Sequence, residues 1–191
     1  EMALLEIPVP PGCTITTEVC TFFNDNNQSY PKELDGQLNR ALKDIENNVG
    51  TIFGDSENPL LLSVRSGART SMPGMMETVL NVGLNDVTRE GLIAQSGDPR
   101  FVYDAQRRLI QMYSDVVMEK ASGIEPEEGM GIRNQLEHEL EKMKEQEGVT
   151  EDTDLSAANL KDLGEIYKGK VLEVLKKPFP EDPWEQLWGA V

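Results

Sequence analysis

Basic residues are scarce in this 191-residue chain: 18 Lys and Arg stand against 34 Asp and Glu, a formal net charge of −16. Nucleic-acid surfaces need clustered Lys and Arg, so this balance argues against them, and equally against an anionic membrane surface. No apolar run approaches the about 20 residues that cross a bilayer, and no signal-peptide pattern is present. The only cysteines, Cys13 and Cys20, lack the spacing of a metal site, which fits a reduced intracellular chain. A single histidine, His138, argues against a histidine-based zinc site and against any triad whose base must be His. Internal repeats and low-complexity tracts are also missing.

The stretch Asn58–Asp86 carries the chemistry. Leu60, Leu61, Leu62 and Val64 form a short apolar run that reads as a buried strand. It stops at Arg65-Ser66-Gly67-Ala68-Arg69-Thr70-Ser71, and Met72-Pro73-Gly74-Met75-Met76 adds a turn signal. Thr78, Val79, Leu80 and Val82 then resume a strand pattern. Strand, glycine-bearing loop and strand make a place for an anion. Ser66, Gly67 and Ala68 let backbone N–H groups approach phosphate oxygens, and the hydroxyls of Ser66, Thr70 and Ser71 add donors. Arg65 offers a fixed fork of N–H groups that suits phosphate. No acid lies between Glu57 and Glu77, and charges beyond about 8–10 Å are screened. The residues alone also fit a second description: an ordinary loop beside a solvated arginine.

The blocks Ser63-Val64-Arg65-Ser66-Gly67-Ala68, Ser71–Met76 and Asn81–Asp86 resemble the nucleotide-binding domain of the pyruvate, phosphate dikinase family. Related phosphoenolpyruvate synthases and water dikinases share the Val-Arg-Ser opening but not the residues that follow. Glu77 stands where the family has Asp, keeping the carboxylate while lengthening its reach. The opening Val9-Pro10-Pro11-Gly12-Cys13-Thr14-Ile15 is similar to the family's VPPGFTI, with Cys13 in place of Phe. Phe101–Met118 resembles the family's YDSYRRFIQMFSDVVM helix, whose second arginine reaches the nucleotide phosphates; that arginine corresponds to Arg108. The family's Gly-Lys-Gly motif would fall before Glu1, so the chain reads as a piece of a longer enzyme.

Elsewhere the pattern is helical. Thr14–Thr16 reads as a short strand and Thr17 as the cap of a helix to about Asn24. Pro31 opens an amphipathic helix whose Leu34, Leu38, Ala41, Leu42, Ile45 and Val49 lead to Gly50. A helix over Val87–Gln95 stops at Ser96-Gly97, and Asp98-Pro99 begins another. Its seam is Val102, Ala105, Leu109, Met112 and Val116, interrupted by Arg107 and Arg108. Residues 125–154 hold eleven acids and three bases, read as an exposed helix over Gly131–Gln146 with a solvated acidic face. The next helix, Ala157–Lys176, has a Leu160, Leu163, Ile166 and Tyr167 stripe. Prolines 178, 180 and 183 form a connector before a last short helix.

These readings predict an α+β fold with three parts. Residues 1–86 form the α/β part of a nucleotide-binding lobe, 87–177 a mainly helical subdomain, and 178–191 a connector and helix returning to the first lobe. The resemblance implies a partial ATP-grasp-like lobe with a short mixed sheet. It implies that Arg65 is catalytic and that Arg65, Ser66, Gly67, Ala68, Thr70, Ser71, Gly74 and Arg108 bind ATP. The family's enzymes interconvert ATP, phosphate and pyruvate with AMP, pyrophosphate and phosphoenolpyruvate through a phosphohistidine on a separate domain. They use Mg²⁺, whose ligands are expected outside this chain. Partners are then ATP or AMP and the remaining domains of a homodimeric enzyme, cytoplasmic or alternatively in a plastid or other organelle. By itself the chain is expected to be inactive. The competing expectation is a non-catalytic nucleotide-binding or protein-interaction module.

Overall fold

The computed structural model describes residues 9–67, 77–127 and 129–191. The chain divides into two compact units, Glu1–Phe53 and Gly54–Val191. In the first, helix α1 (Thr17–Asp25) precedes α2 (Leu34–Val49) and the two-residue strand β1 (Ile52–Phe53). Apolar residues three and four apart turn Leu34, Leu38, Leu42 and Ile45 of α2 inward. Gly50 ends α2 at φ 80°, a left-handed cap open to glycine at no steric cost, and donates to the Glu46 carbonyl at 2.7 Å. Two expectations shift here. Thr14–Thr16 is irregular rather than a strand, and Thr16, not Thr17, occupies the N-cap of α1, without a side-chain cap bond. Pro31 lies in the turn before α2, where its carbonyl accepts from Leu34 N–H at 3.0 Å.

The second unit begins with β2 (Pro59–Leu60), β3 (Leu62–Arg65) and β4 (Thr78–Val82). The expected single buried strand over Leu60–Val64 is broken at Leu61, and β3 is only half buried. The cause is visible in the pairing: β3 and β4 form an antiparallel hairpin with one face against a helix and the other toward water. Leu62 pairs with Val82 and Val64 with Val79, so β4 carries one more residue than β3 across that step. Asn81, at φ 61°, lies in this bulge.

Five helices complete the unit: α3 (Asp86–Ser96), α4 (Pro99–Tyr113), α5 (Ile132–Glu147), α6 (Ala157–Leu175) and α7 (Pro183–Ala190). Helix α4 is central, packing against β4, α3, α5 and α6. Its seam is wider than its spacing predicts: Gln106, Arg107, Ile110 and Tyr113 are buried beside Val102, Ala105 and Leu109. Asp98 accepts from Phe101 N–H and Pro99 fills the first turn, so the start follows from sequence. Beyond Tyr113 the helix widens into a π-helix over Ser114–Lys120. The acidic α5 is not simply solvated, because it buries Ile132, Leu136, Leu140 and Met143. On α6 the buried stripe is Leu160, Leu163, Tyr167 and Val171, whereas Ile166 is exposed. No helix among the described residues is long and apolar enough to cross a membrane.

The Asn81–Asp86 block is a strand-to-helix turn. Gly83 adopts φ 101°, where a Cβ would be strained. Asn85 caps α3 by accepting from Val87 and Thr88 N–H, and Thr88 returns a bond to the Asn85 backbone. From α7 the buried Gln186 accepts from Gly83 N–H at 2.8 Å and donates to the Leu84 and Pro180 carbonyls at 3.2 and 2.9 Å. Gln186→Leu leaves these three backbone groups without their partner. We expect it to lower stability by about 2–4 kcal/mol in urea denaturation; a loss below about 0.5 kcal/mol, within the range of ordinary surface changes, would show the staple to be neutral.

Candidate functional site

Arg65 is the last residue of β3, opposite Thr78, and it is exposed. Among the described residues it forms no ion pair, although the chain holds 34 acids. Ser66 and Gly67 follow it and are exposed as well. The hairpin is closed at its open end by Ser66 and Glu77. Ser66 N–H donates to the Glu77 carbonyl at 3.1 Å, Ser66 Oγ donates to the same oxygen at 3.3 Å, and Glu77 N–H donates back to Oγ at 3.1 Å. The Ser66 hydroxyl is therefore occupied by the hairpin. Ala68, Thr70, Ser71 and Gly74 lie outside the described residues.

Glu77 also reaches sideways. Lys120, at the end of the π-helix, donates to its carboxylate at 3.3 Å and to the buried Asp115 at 3.1 Å. Arg133 of α5 stands 3.6 Å from Asp115 and donates to Glu137 at 3.1 Å. Partial burial works against the Lys120 charge, but the hydrogen bonds and charges of Asp115 and Glu77 outweigh it and hold its pKa above the ordinary value. The buried Glu119 accepts from Ile132 N–H at 2.9 Å and so caps the first turn of α5.

On α4, Asp104 lies three and four residues before the arginine pair, which places all three side chains on one turn. Arg107 is 3% exposed; its Nε and Nη2 donate to Asp104 Oδ1 at 3.0 and 2.7 Å. Its Nη1 donates to Gln111 at 3.4 Å, and Asp152 is 3.6 Å away. Arg108, with its side chain 59% exposed, donates from Nε to Asp104 Oδ2 at 2.8 Å. The two arginines are thus unlike: the first is a buried structural cation, the second points to solvent. Burial pushes the neighbouring Tyr167 phenol up to about 12. Among the described residues no hydrogen bond or shared ion-pair partner joins Arg65 to Arg108. The spacing of Asp104 was the available signal for its role, and neither it nor Lys120 was singled out from sequence.

Asp86 ends the Asn81–Asp86 block and ties helices together. It accepts from Arg89 at 2.7 Å, Gln106 at 3.0 Å and Lys168 at 2.9 Å, while Lys168 also meets Glu181 at 2.6 Å. A separate apolar cavity of about 150 Å³ lies in the first unit, lined by Cys13, Ile15, Val19, Leu34, Leu38 and Ala41 among others. Its lining carries no cation and suits no phosphate. Among the described residues no group of three or more His, Cys, Asp or Glu side chains converges as a metal site would require.

No family model matches the chain. Over 192 aligned positions that include all of it, the chain is 47% identical to pyruvate, phosphate dikinase of Clostridium symbiosum and 47% to that of Rhizobium meliloti (strain 1021). It is 48% identical to pyruvate, phosphate dikinase 1, chloroplastic, of Arabidopsis thaliana. The chain spans 21%, 20% and 19% of the lengths of these three relatives.

The Asp86 cluster sets a pH dependence. Burial acts to raise its pKa, but hydrogen bonds from Lys168 and Gln106 and the charges of Lys168 and Arg89 prevail, leaving it below the ordinary 3.8. A lowered carboxylate pKa contributes stability above the unfolded value, lost as pH falls through the folded one. The side chain is 49% exposed, so screening limits this contribution to about 0.5–1 kcal/mol. Urea denaturation at neutral pH should therefore show Asp86→Asn less stable than the unsubstituted chain by that amount. The gap should close as pH falls below about 4, near the unperturbed Asp pKa; a gap that persists at pH 2 would contradict this.

Proposed function

Because the chain belongs to the pyruvate, phosphate dikinase family over its whole length, we propose that it is the portion of such an enzyme that grips the nucleotide's phosphates, within an ATP-grasp lobe. The observation carrying this reading is the exposed Arg65 guanidinium at the end of β3, without a carboxylate partner among the described residues. An arginine kept free of carboxylates in so acidic a chain remains available to a phosphate oxygen. A charge-assisted, bidentate contact would follow from its planar fork.

In this reading the whole enzyme interconverts ATP, phosphate and pyruvate with AMP, pyrophosphate and phosphoenolpyruvate, using a phosphohistidine carried elsewhere in the molecule. Phosphoryl transfer asks the protein chiefly for positioning and charge neutralisation. Arg65 supplies positive charge where negative charge grows on the transferred group. Ser66 holds the hairpin closed beside it, and Gly67 leaves the backbone accessible. Arg108 adds a second cation from the helical side. Mg²⁺ would supply further neutralisation, and no described side-chain group of this chain forms a site for it. The interaction-module reading has less behind it: α5 buries its apolar face, and Arg133, Lys142 and Lys144 engage its acids.

Calorimetric titration with MgATP tests the proposal. Arg65→Ala should weaken binding by about 1.5–3 kcal/mol, the value of a hydrogen bond to a charged group, with the melting temperature unchanged. An unaltered affinity would remove Arg65 from the site. Pyruvate-dependent AMP formation by the 191-residue chain is expected to be absent; steady turnover in that assay would show that the parts assigned elsewhere are not needed.

A further inference from the structure

We propose that Asp104 is a positioning residue, holding the Arg108 guanidinium so that its outer edge is presented to a phosphate oxygen. The proposal deepens the preceding one and rests on its reading that this chain binds nucleotide phosphate. Three observations support it. First, both Asp104 oxygens are engaged and by different partners: Oδ1 takes Nε and Nη2 of Arg107, while Oδ2 takes Nε of Arg108. Second, the Arg107 side of this arrangement is enclosed within the fold. Arg107 is buried within α4, and burial of its charge is more than offset by the hydrogen bond and charge of Asp104, which raise its pKa. Releasing Asp104 would leave this buried guanidinium with only Gln111 at 3.4 Å and the more distant Asp152 carboxylate at 3.6 Å. Third, the Arg108 side chain is largely exposed, and among the described residues neither of its Nη nitrogens has a hydrogen-bond partner.

The consequence follows from charge and entropy together. Asp104 divides its single charge between two guanidinium groups, and Asp152 faces Arg107 at 3.6 Å rather than Arg108, so Arg108 keeps part of its attraction for an anion. Holding Nε removes much of the rotamer freedom that a long, exposed arginine would otherwise lose on binding. The free Nη hydrogens keep the geometry for oxygen acceptors. A carboxylate that merely neutralised Arg108 would have no reason to be anchored from behind by a second, buried arginine.

A double-mutant cycle on MgATP affinity tests this, using the 191-residue chain with Asp104→Asn, Arg108→Ala and the combined variant. Asparagine retains one oxygen acceptor for Arg107 and loses the charge shared with Arg108. Asp104→Asn should weaken MgATP binding by about three- to tenfold and Arg108→Ala by about tenfold or more. The double variant should match Arg108→Ala within about twofold, because Asp104 then has nothing left to position. An equal effect of Asp104→Asn in both backgrounds would mark a structural role and overturn the proposal, as would unchanged or tighter binding in the single variant. No MgATP binding by the unsubstituted, folded chain would overturn the preceding reading, and this one with it. If Asp104→Asn fails to fold, arginine Nε–H resonances of the unsubstituted chain decide. The signal lost in Arg108→Ala should be protected from solvent exchange, and exchange at the rate of free arginine would refute the positioning.

Discussion

A buried guanidinium on the central helix anchors a network of polar contacts in the second unit of this protein. Arg107 is buried on α4, and its charge is tolerable there because Asp104 faces it one turn earlier at 2.7 Å, with Asp152 farther off at 3.6 Å. Breaking such a pair from one side strands a charge in a poorly solvated place, which typically costs about 3–5 kcal/mol. The pair therefore fixes the orientation of that turn, and with it the exit direction of Arg108. From Arg107 polar contacts continue through Gln111, Glu137, Arg133, Asp115 and Lys120 to Glu77, whose backbone closes the hairpin at Ser66. The helical side and the neck beside Arg65 are consequently parts of one connected surface.

Charge is distributed with some economy in this surface. The chain carries nearly two acids for each base, so an unpaired cation requires that its surroundings be kept free of carboxylates. At Arg65 the local sequence does this, with no acid between Glu57 and Glu77, and Glu77 itself is engaged by Lys120. Glu77 is one methylene longer than aspartate, and it is its carboxylate that takes the Lys120 contact at 3.3 Å. Its carboxylate is turned toward the π-helix and occupied there.

Three of the sequence stretches that carry the family resemblance divide by physical role. Asn81–Asp86 is architecture: a bulge, a left-handed glycine, a helix cap and a carboxylate that ties α3, α4 and α6. Arg65–Gly67 is exposed, at and just beyond the end of β3. The helix-borne Arg107 and Arg108 belong to both roles, although adjacent in sequence. Spacing alone treats them as two interruptions of an apolar seam. Adjacent helical residues differ by about 100° around the axis, which follows from 3.6 residues per turn. On a helix covered on several sides, that rotation separates a buried side chain from an exposed one.

Helix positions were written locally: Asn85, Asp98 and Ser156 cap their helices, Gly50, Gly97 and Gly148 end theirs, and the three- and four-residue spacing marks the buried faces. The exposed arginine at a strand end was equally legible, because the apolar run that makes β3 stops at it. What the fold decided lies in longer-range contacts: the break at Leu61, the burial of Arg107, the capture of Glu77 by Lys120 and the stapling of Gly83 by Gln186, 103 residues away. A residue's cap or turn preference is set by neighbours within one helical turn. Its burial and its ionic partner are set by whichever distant element lies across from it, and no pattern in the chain specifies that element until the helices have packed.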